Sequence, residues 1–142
     1  MKVSTRGRYA LRVMIDLAAN GETGEDKYIP LKDVVARQGV SQKYLEGIMT
    51  DLSKVGLIEG MHGKGGGYKL VRPAEKYTVG EILRVTEGDL APISCLQEKA
   101  PPCERAAFCP TLPLWQGFYK MINDYFDGVT LADLITPDRN VK

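Results

Sequence analysis

Residues 31–71 read LKDVVARQGVSQKYLEGIMTDLSKVGLIEGMHGKGGGYKLV, and the order of signals in this stretch decides the fold. Leu31, Val34 and Val35 stand at helical spacing and stop at Gly39, which marks a short helix. After the turn Gln38-Gly39-Val40, Ser41 is an N-cap for a longer helix. Its apolar face is Tyr44, Leu45, Ile48, Met49, Leu52 and Val55, and Gly56 terminates it. Leu57-Ile58 and Tyr68-Lys69-Leu70-Val71 flank the glycine-dense segment from Gly60 to Gly67. They are expected to be two short strands joined by a flexible hairpin tip, with Pro73 ending the second.

Upstream, Thr5 to Asn20 carries Tyr9, Val13 and Leu17 on one helical stripe with Ala10, Met14 and Ala18 beside it, closed by Gly21. Gly21 to Lys27 is polar and charged and is expected to be a loop. Downstream, Thr78 and Glu81 have capping-box spacing ahead of Ile82, Leu83 and Val85, a short fourth helix. Gly88 to Pro113 holds prolines at 92, 101, 102, 110 and 113 and every cysteine of the chain, so an irregular loop is expected. Loops of such length are normally functional or disordered.

From Leu114 to Phe126, the residues Trp115, Phe118, Tyr119, Ile122, Tyr125 and Phe126 make an apolar band too wide for a helix lying singly on a surface. Part of it is expected to meet a second chain. Thr130 to Ile135 is a capped short helix, and the last residues are expected to fray.

With 142 residues, 44% of them hydrophobic and 26% charged, the chain has the composition of an ordinary globular protein whose core needs no disulfide staples. No apolar run approaches the roughly 20 residues of a membrane span, and the opening Met1-Lys2-Val3-Ser4-Thr5-Arg6 lacks a signal-peptide stretch, so a cytoplasmic location without membrane contact is expected. Catalysis is not expected, because His62 is the only histidine and no plausible nucleophile stands near it. The net charge of +1 conceals an asymmetry: residues 1–80 carry 13 Lys+Arg against 9 Asp+Glu (+4), and residues 81–142 carry 6 against 9 (−3). A basic N-terminal half suits a polyanion.

Helix, tight turn, helix and glycine-tipped hairpin is the order of a winged helix-turn-helix. A helix fits the major groove of DNA, the preceding helix braces it, and the hairpin reaches a neighbouring groove or phosphates. Ser41, Gln42, Lys43 and Glu46 lie off the apolar face near the start of the second helix and suit base edges and phosphates. Basic residues flank them: Lys2, Arg6, Arg8 and Arg12 upstream, Lys64 in the tip, Lys69 and Arg72 after it. Each feature alone is an ordinary solvated face; the ordered set points to nucleic acid. The tip is no P-loop, since Lys64 is followed by Gly65 rather than Ser or Thr and no helix follows. Gly65 and Gly66 let backbone pass close to DNA.

Cys95, Cys103 and Cys109 are separated by seven and five residues. Three thiolates on a pliable loop can converge on one soft metal centre, and cysteine sulfur usually holds iron-sulfur clusters. Structural zinc is disfavoured, because no pair has C-x₂₋₄-C spacing and the lone histidine is distant in sequence. Free thiols, or a redox-switched pair with one left over, remain open on spacing alone.

Five segments together resemble the bacterial iron-sulfur cluster regulator family of IscR, with relatives NsrR and CymR. They are Met1 to Leu11, Ser41 to Glu46, the wing Gly63-Lys64-Gly65-Gly66-Gly67-Tyr68, the three cysteines before Leu114-Trp115, and Thr130 to Leu134. The resemblance implies a mainly α, homodimeric, winged helix-turn-helix transcriptional regulator of promoter DNA. Its domains would be a DNA-binding domain over residues 1–87 (wing about 57–72), a cluster-binding loop over 88–113, and a dimerisation helix and tail over 114–142. It implies that Cys95, Cys103 and Cys109 bind an iron-sulfur cluster, with [2Fe-2S] favoured over [4Fe-4S]. Cluster occupancy would control genes of cluster assembly or of iron and sulfur metabolism. It implies that Lys43, Tyr44 and Glu46 make recognition-helix contacts and that His62 stands where IscR has a wing arginine.

Two departures from the family bear on the cluster. The histidine ligand that IscR places three residues after its last cysteine is Leu112 here, and the aspartate ligand of NsrR corresponds to Arg8. The fourth ligand stays open among Glu98, Glu104, a group of the partner chain and an exogenous thiol or water. The alternative is a CymR-like, cluster-free repressor of sulfur or cysteine metabolism, regulated by a partner protein or by thiol oxidation.

Overall fold

The computed structural model describes residues 2–21 and 27–135, so most of the expected loop after Gly21 and the expected frayed tail lie outside the described residues. The helices are Thr5–Asn20 (α1), Leu31–Gln38 (α2), Gln42–Lys54 (α3), Val79–Glu87 (α4), Leu112–Asp127 (α5) and Leu131–Ile135 (α6). Ile58–Met61 (β1) pairs antiparallel with Gly67–Leu70 (β2), Ile58 opposite Leu70 and Met61 opposite Gly67. This is a mainly helical winged helix-turn-helix.

The helix starts follow from side-chain capping of orphan N–H groups. The Ser4 hydroxyl accepts from the Gly7 N–H (2.9 Å), Ser41 from Tyr44 (3.1 Å) and Thr78 from Glu81 (3.1 Å). At the turn between α2 and α3, Gly39 adopts φ 68°, a left-handed cap that lets the chain reverse. The core between these helices is built from Ala10, Val13, Met14 and Leu17 of α1, Leu45, Ile48, Met49 and Leu52 of α3, and Ile82 of α4. At about 1.5–3 kcal/mol per fully buried aliphatic side chain, this cluster holds the helix-turn-helix together. Asp16 is buried with them, its carboxylate accepting from Arg37 Nε and Nη2 and from Gln38 Nε2, which ties α1 to the end of α2.

Several boundaries differ from the sequence reading. The first wing strand runs from Ile58 through Glu59 to Met61, so Gly60 and Met61, expected in the tip, are paired instead. Backbone hydrogen bonds form the ladder whatever the side chains, and hydrophobic patterning misses such residues. Conversely, Val71 falls beyond β2. Ile29 adds an isolated bridge to β2, exchanging hydrogen bonds with Tyr68 (2.8 and 2.9 Å), a contact invisible in the local sequence. The loop after Gly88 contains a 3-10 turn at Ser94–Leu96. Helix α5 starts at Leu112 rather than Leu114, because Pro113 occupies the first turn, where a missing N–H costs nothing.

A second apolar cluster joins α5 to the helix-turn-helix body: Val79, Leu83 and Leu90 pack with Tyr119, Ile122, Phe126 and Val129. The other face of α5 exposes Leu114 (63%), Phe118 (42%), Met121 (70%) and Tyr125 (69%), spaced four, three and four residues apart as one stripe.

Candidate nucleic-acid interface and cysteine loop

Helix α3 turns Leu45, Ile48, Met49 and Leu52 into the core, which leaves Ser41, Gln42, Lys43 and Glu46 outside and exposed. The Ser41 hydroxyl is used as the cap, and Gln42 Nε2 donates to Glu46 Oε1 (3.0 Å), so two of the expected reading groups hold one another in place. Tyr44 is half-buried, its ring edge-on to Tyr9 at 5.8 Å between centroids. It is therefore as much a brace between α3 and α1 as a surface group.

The wing stands beside α3. Glu46, Thr50, Ser53 and Lys54 of α3, Lys32 of α2, and Met61, His62 and Gly66 of the wing line one groove of about 820 Å³. The structure thus brings Glu46, His62 and Gly66 together; Lys64 and Gly65 stand exposed at the tip. Gly66 lies against the Met61 carbonyl, where a Cβ would clash, and Gly67 has φ 146° with a Cβ position overlapping the Ile29 carbonyl. Both glycines are structural requirements of the wing. Lys32 and Lys54 escaped the sequence reading. Lys54 follows Glu46 and Thr50 at four-residue steps and was legible, whereas Lys32 joins the groove only because Ile29 bridges β2.

Several flanking cations are engaged within the fold. Arg6 donates to Asp51 of α3 through Nε (3.2 Å) and Nη2 (2.5 Å), stitching α1 to α3. Arg12 donates to Gln38 (2.9 Å) and lies 4.7 Å above the Tyr9 ring. Arg72 donates to Glu81 (2.7 Å) and stacks 4.2 Å from the Tyr77 ring, and Lys69 faces Glu59 and Tyr28. Arg8 is exposed and reaches Thr5 Oγ1 (3.2 Å), and Lys43, Lys54 and Lys64 are exposed.

Cys95 and Cys103 are exposed free thiols that line one open recess of about 420 Å³, with Pro101 and Pro102 between them in the chain. Cys109 is half-exposed at the foot of α5, its sulfur 3.5 Å from the Thr111 hydroxyl. Hydrogen bonding from the Thr111 side chain, then from backbone, holds this thiol below its ordinary pKa, with a smaller contribution from Arg105. Among the described residues no three Cys, His, Asp or Glu side chains gather as a metal-holding group, so Cys95, Cys103 and Cys109 do not converge as a set of three in this conformation. Neither Glu98 nor Glu104 completes such a group with them. The donor set still suits iron, because the thiols are soft, unpaired in disulfides and carried on one proline-rich loop.

Residues 3–137 match the Rrf2 family, described as iron-dependent transcriptional regulators. The chain is 38% identical over 135 residues to the rrf2 protein of Nitratidesulfovibrio vulgaris, covering 95% of this chain and 87% of that one. Among solved structures it superposes on CymR, the global cysteine regulator of B. subtilis, with a TM-score of 0.73 at 32% identity, covering 95% of this chain and 96% of that one. It superposes on T. potens IscR with a TM-score of 0.71 at 34% identity, covering 95% of this chain and 86% of that one. These relatives are regulators rather than enzymes, and among the described residues no helix is long and apolar enough to cross a membrane. With the helix-turn-helix, the wing and a match over nearly the whole chain in agreement, the protein belongs to the Rrf2 family of DNA-binding transcriptional regulators.

Proposed function

We propose that this chain is a cytoplasmic homodimeric repressor or activator of iron and sulfur metabolism genes, whose affinity for promoter DNA is set by an iron-sulfur cluster on Cys95, Cys103 and Cys109. The observation that carries the reading is the position of the three free thiols. All lie between the end of α4 at Glu87 and the start of α5 at Leu112, on the segment that in this reading joins a DNA-binding domain (1–87) to a dimerisation helix and tail. When bound, a cluster supplies a redox- and oxygen-sensitive centre of the [2Fe-2S] type, or else [4Fe-4S]. The protein's own residues do the rest. Cys95 and Cys103 already share a recess, and Thr111 keeps Cys109 inclined to the thiolate that a metal requires.

On the DNA side, Gln42, Lys43, Tyr44 and Glu46 present α3 to base edges, with Ser41 setting the start of the helix. Arg8 and Lys64 serve phosphates, Arg6 is held by Asp51 and braces α1 against α3, and His62 with Gly65 and Gly66 carries the wing into the next groove. The exposed stripe Leu114, Phe118, Met121 and Tyr125 is the dimer face.

A second reading, a CymR-like repressor of cysteine metabolism without a cluster, draws on the failure of the three thiols to converge in this conformation and on the likeness to CymR. Anaerobic purification decides between them. A brown protein with about equal iron and inorganic sulfide establishes the cluster, and Cys103→Ala then loses the colour while circular dichroism stays unchanged. A colourless protein that resists reconstitution yet binds duplex DNA with a steep salt dependence establishes the second.

A further inference from the structure

We infer that Arg84 is the residue that sets the operator half-site spacing this protein accepts, by fixing the angle of α5 on the DNA-binding body; the inference rests on the dimer reading above. Among the described residues, the side-chain hydrogen bonds from α5 to another helix all come to Arg84 of α4. Its Nη1 donates to Asp127 Oδ1 (2.7 Å), and its Nη2 to Asp127 Oδ2 (3.0 Å) and to Asn123 Oδ1 (2.7 Å). Gly80 lies one turn before Arg84, and a Cβ there would overlap the Asp127 carboxylate, so the backbone of α4 makes room for the clamp.

The remaining contact of α5 with this part of the body is apolar: Val79 and Leu83 of α4 and Leu90 just beyond it, against Tyr119, Ile122 and Phe126. Apolar contact is non-directional, so it sets the angle of α5 less sharply than directed bonds do. A bidentate guanidinium–carboxylate pair with a third bond to an amide has one geometry. The clamp therefore carries the orientation that the apolar face leaves loose.

Leverage makes that orientation matter. The clamp grips only the C-terminal half of α5, while Pro113, Leu114, Gln116, Gly117 and Phe118 of the first half are exposed. A 16-residue helix is about 24 Å long at 1.5 Å per residue. A swing of about 10° about one end moves the other by ~4 Å, roughly one base-pair step of 3.4 Å. Since the partner chain is carried on this helix, the swing displaces one recognition helix relative to the other by about one base pair.

The test uses the full-length protein and an inverted-repeat duplex that the wild type itself selects from a random library. The spacer between half-sites is then lengthened and shortened by single base pairs. Wild type is expected to prefer its own spacer by about tenfold or more over the neighbours, because rigid dimers read half-site separation. Arg84→Gln, and separately Asp127→Ala should the first fold poorly, are expected to flatten that preference to about threefold or less. Their sedimentation as dimers and their affinity for an isolated half-site should match the wild type. A loss of packing alone would lower all affinities together and leave the ratio between spacers intact. Variants that keep the wild-type spacer profile overturn the inference while leaving the dimer reading standing. A wild-type protein that sediments as a monomer and shows no spacer preference overturns both.

Discussion

Removing one oxygen atom from the core should loosen the wing. Tyr77 is fully buried, and its hydroxyl donates to the Leu57 carbonyl (2.7 Å) and accepts from the N–H groups of Val71 (3.0 Å) and Arg72 (3.2 Å). Leu57 immediately precedes β1 and Val71 immediately follows β2, so this one group closes the base of the hairpin. In Tyr77→Phe the ring packing survives while three backbone groups lose their partner. A typical hydrogen bond is worth about 1 kcal/mol net, and an unsatisfied buried group costs about 1–3 kcal/mol. Leu57 is 3% exposed and bears the full cost, whereas Val71 is 47% exposed and water can replace its lost bond.

The expected loss is therefore about 2 kcal/mol rather than the ~3 kcal/mol of three independent bonds. At roughly 3–4 °C per kcal/mol for a chain of this size, Tm should fall by about 6–8 °C. Differential scanning calorimetry at fixed protein concentration measures it. Hydrogen exchange should accelerate selectively at the paired amides of β1 and β2. A Tm within about 1 °C of wild type, with wing protection unchanged, would refute the claim that the Tyr77 hydroxyl holds the hairpin base.

Two further outcomes follow from the same geometry. Gly67→Ala forces a Cβ onto the Ile29 carbonyl at φ 146°, so it should break the Ile29–Tyr68 bridge and lower DNA affinity by about tenfold or more in a fluorescence-anisotropy titration, with α1 and α3 still folded by circular dichroism. Thr111→Val removes the hydroxyl that chiefly holds the Cys109 thiol below its ordinary pKa. In the metal-free protein a lowered thiol pKa means more thiolate at a given pH. The variant should therefore alkylate more slowly at Cys109 near neutral pH, with the midpoint of its pH–rate profile displaced upward; an unmoved midpoint by mass spectrometry would exclude Thr111 as the cause.

The helix-turn-helix was legible because its signals are local. Ser41 caps, Gly39 reverses and the apolar spacing of α3 orients it, all within one or two turns of chain. The glycines of the wing and the apolar stripe on α5 were legible for the same reason. The strand limits were less so, since Glu59 to Met61 pair through backbone groups that carry no side-chain signature.

The use made of each charged residue was decided only by tertiary structure. Arg6, Arg12, Arg72 and Arg84 are alike in sequence as isolated cations. In the folded chain they meet Asp51, Gln38, Glu81 and Asp127, partners 45, 26, 9 and 43 residues away. Lys32 reaches the groove only through the bridge from Ile29 to β2. The arrangement of the three thiols is equally non-local, since a proline-rich loop prescribes no single path between Cys95 and Cys109. Short-range periodicity and capping thus determined which elements form. Side-chain pairing across long sequence separations depends on the assembled core, and that assembly decided which cations face outward and how α5 is held.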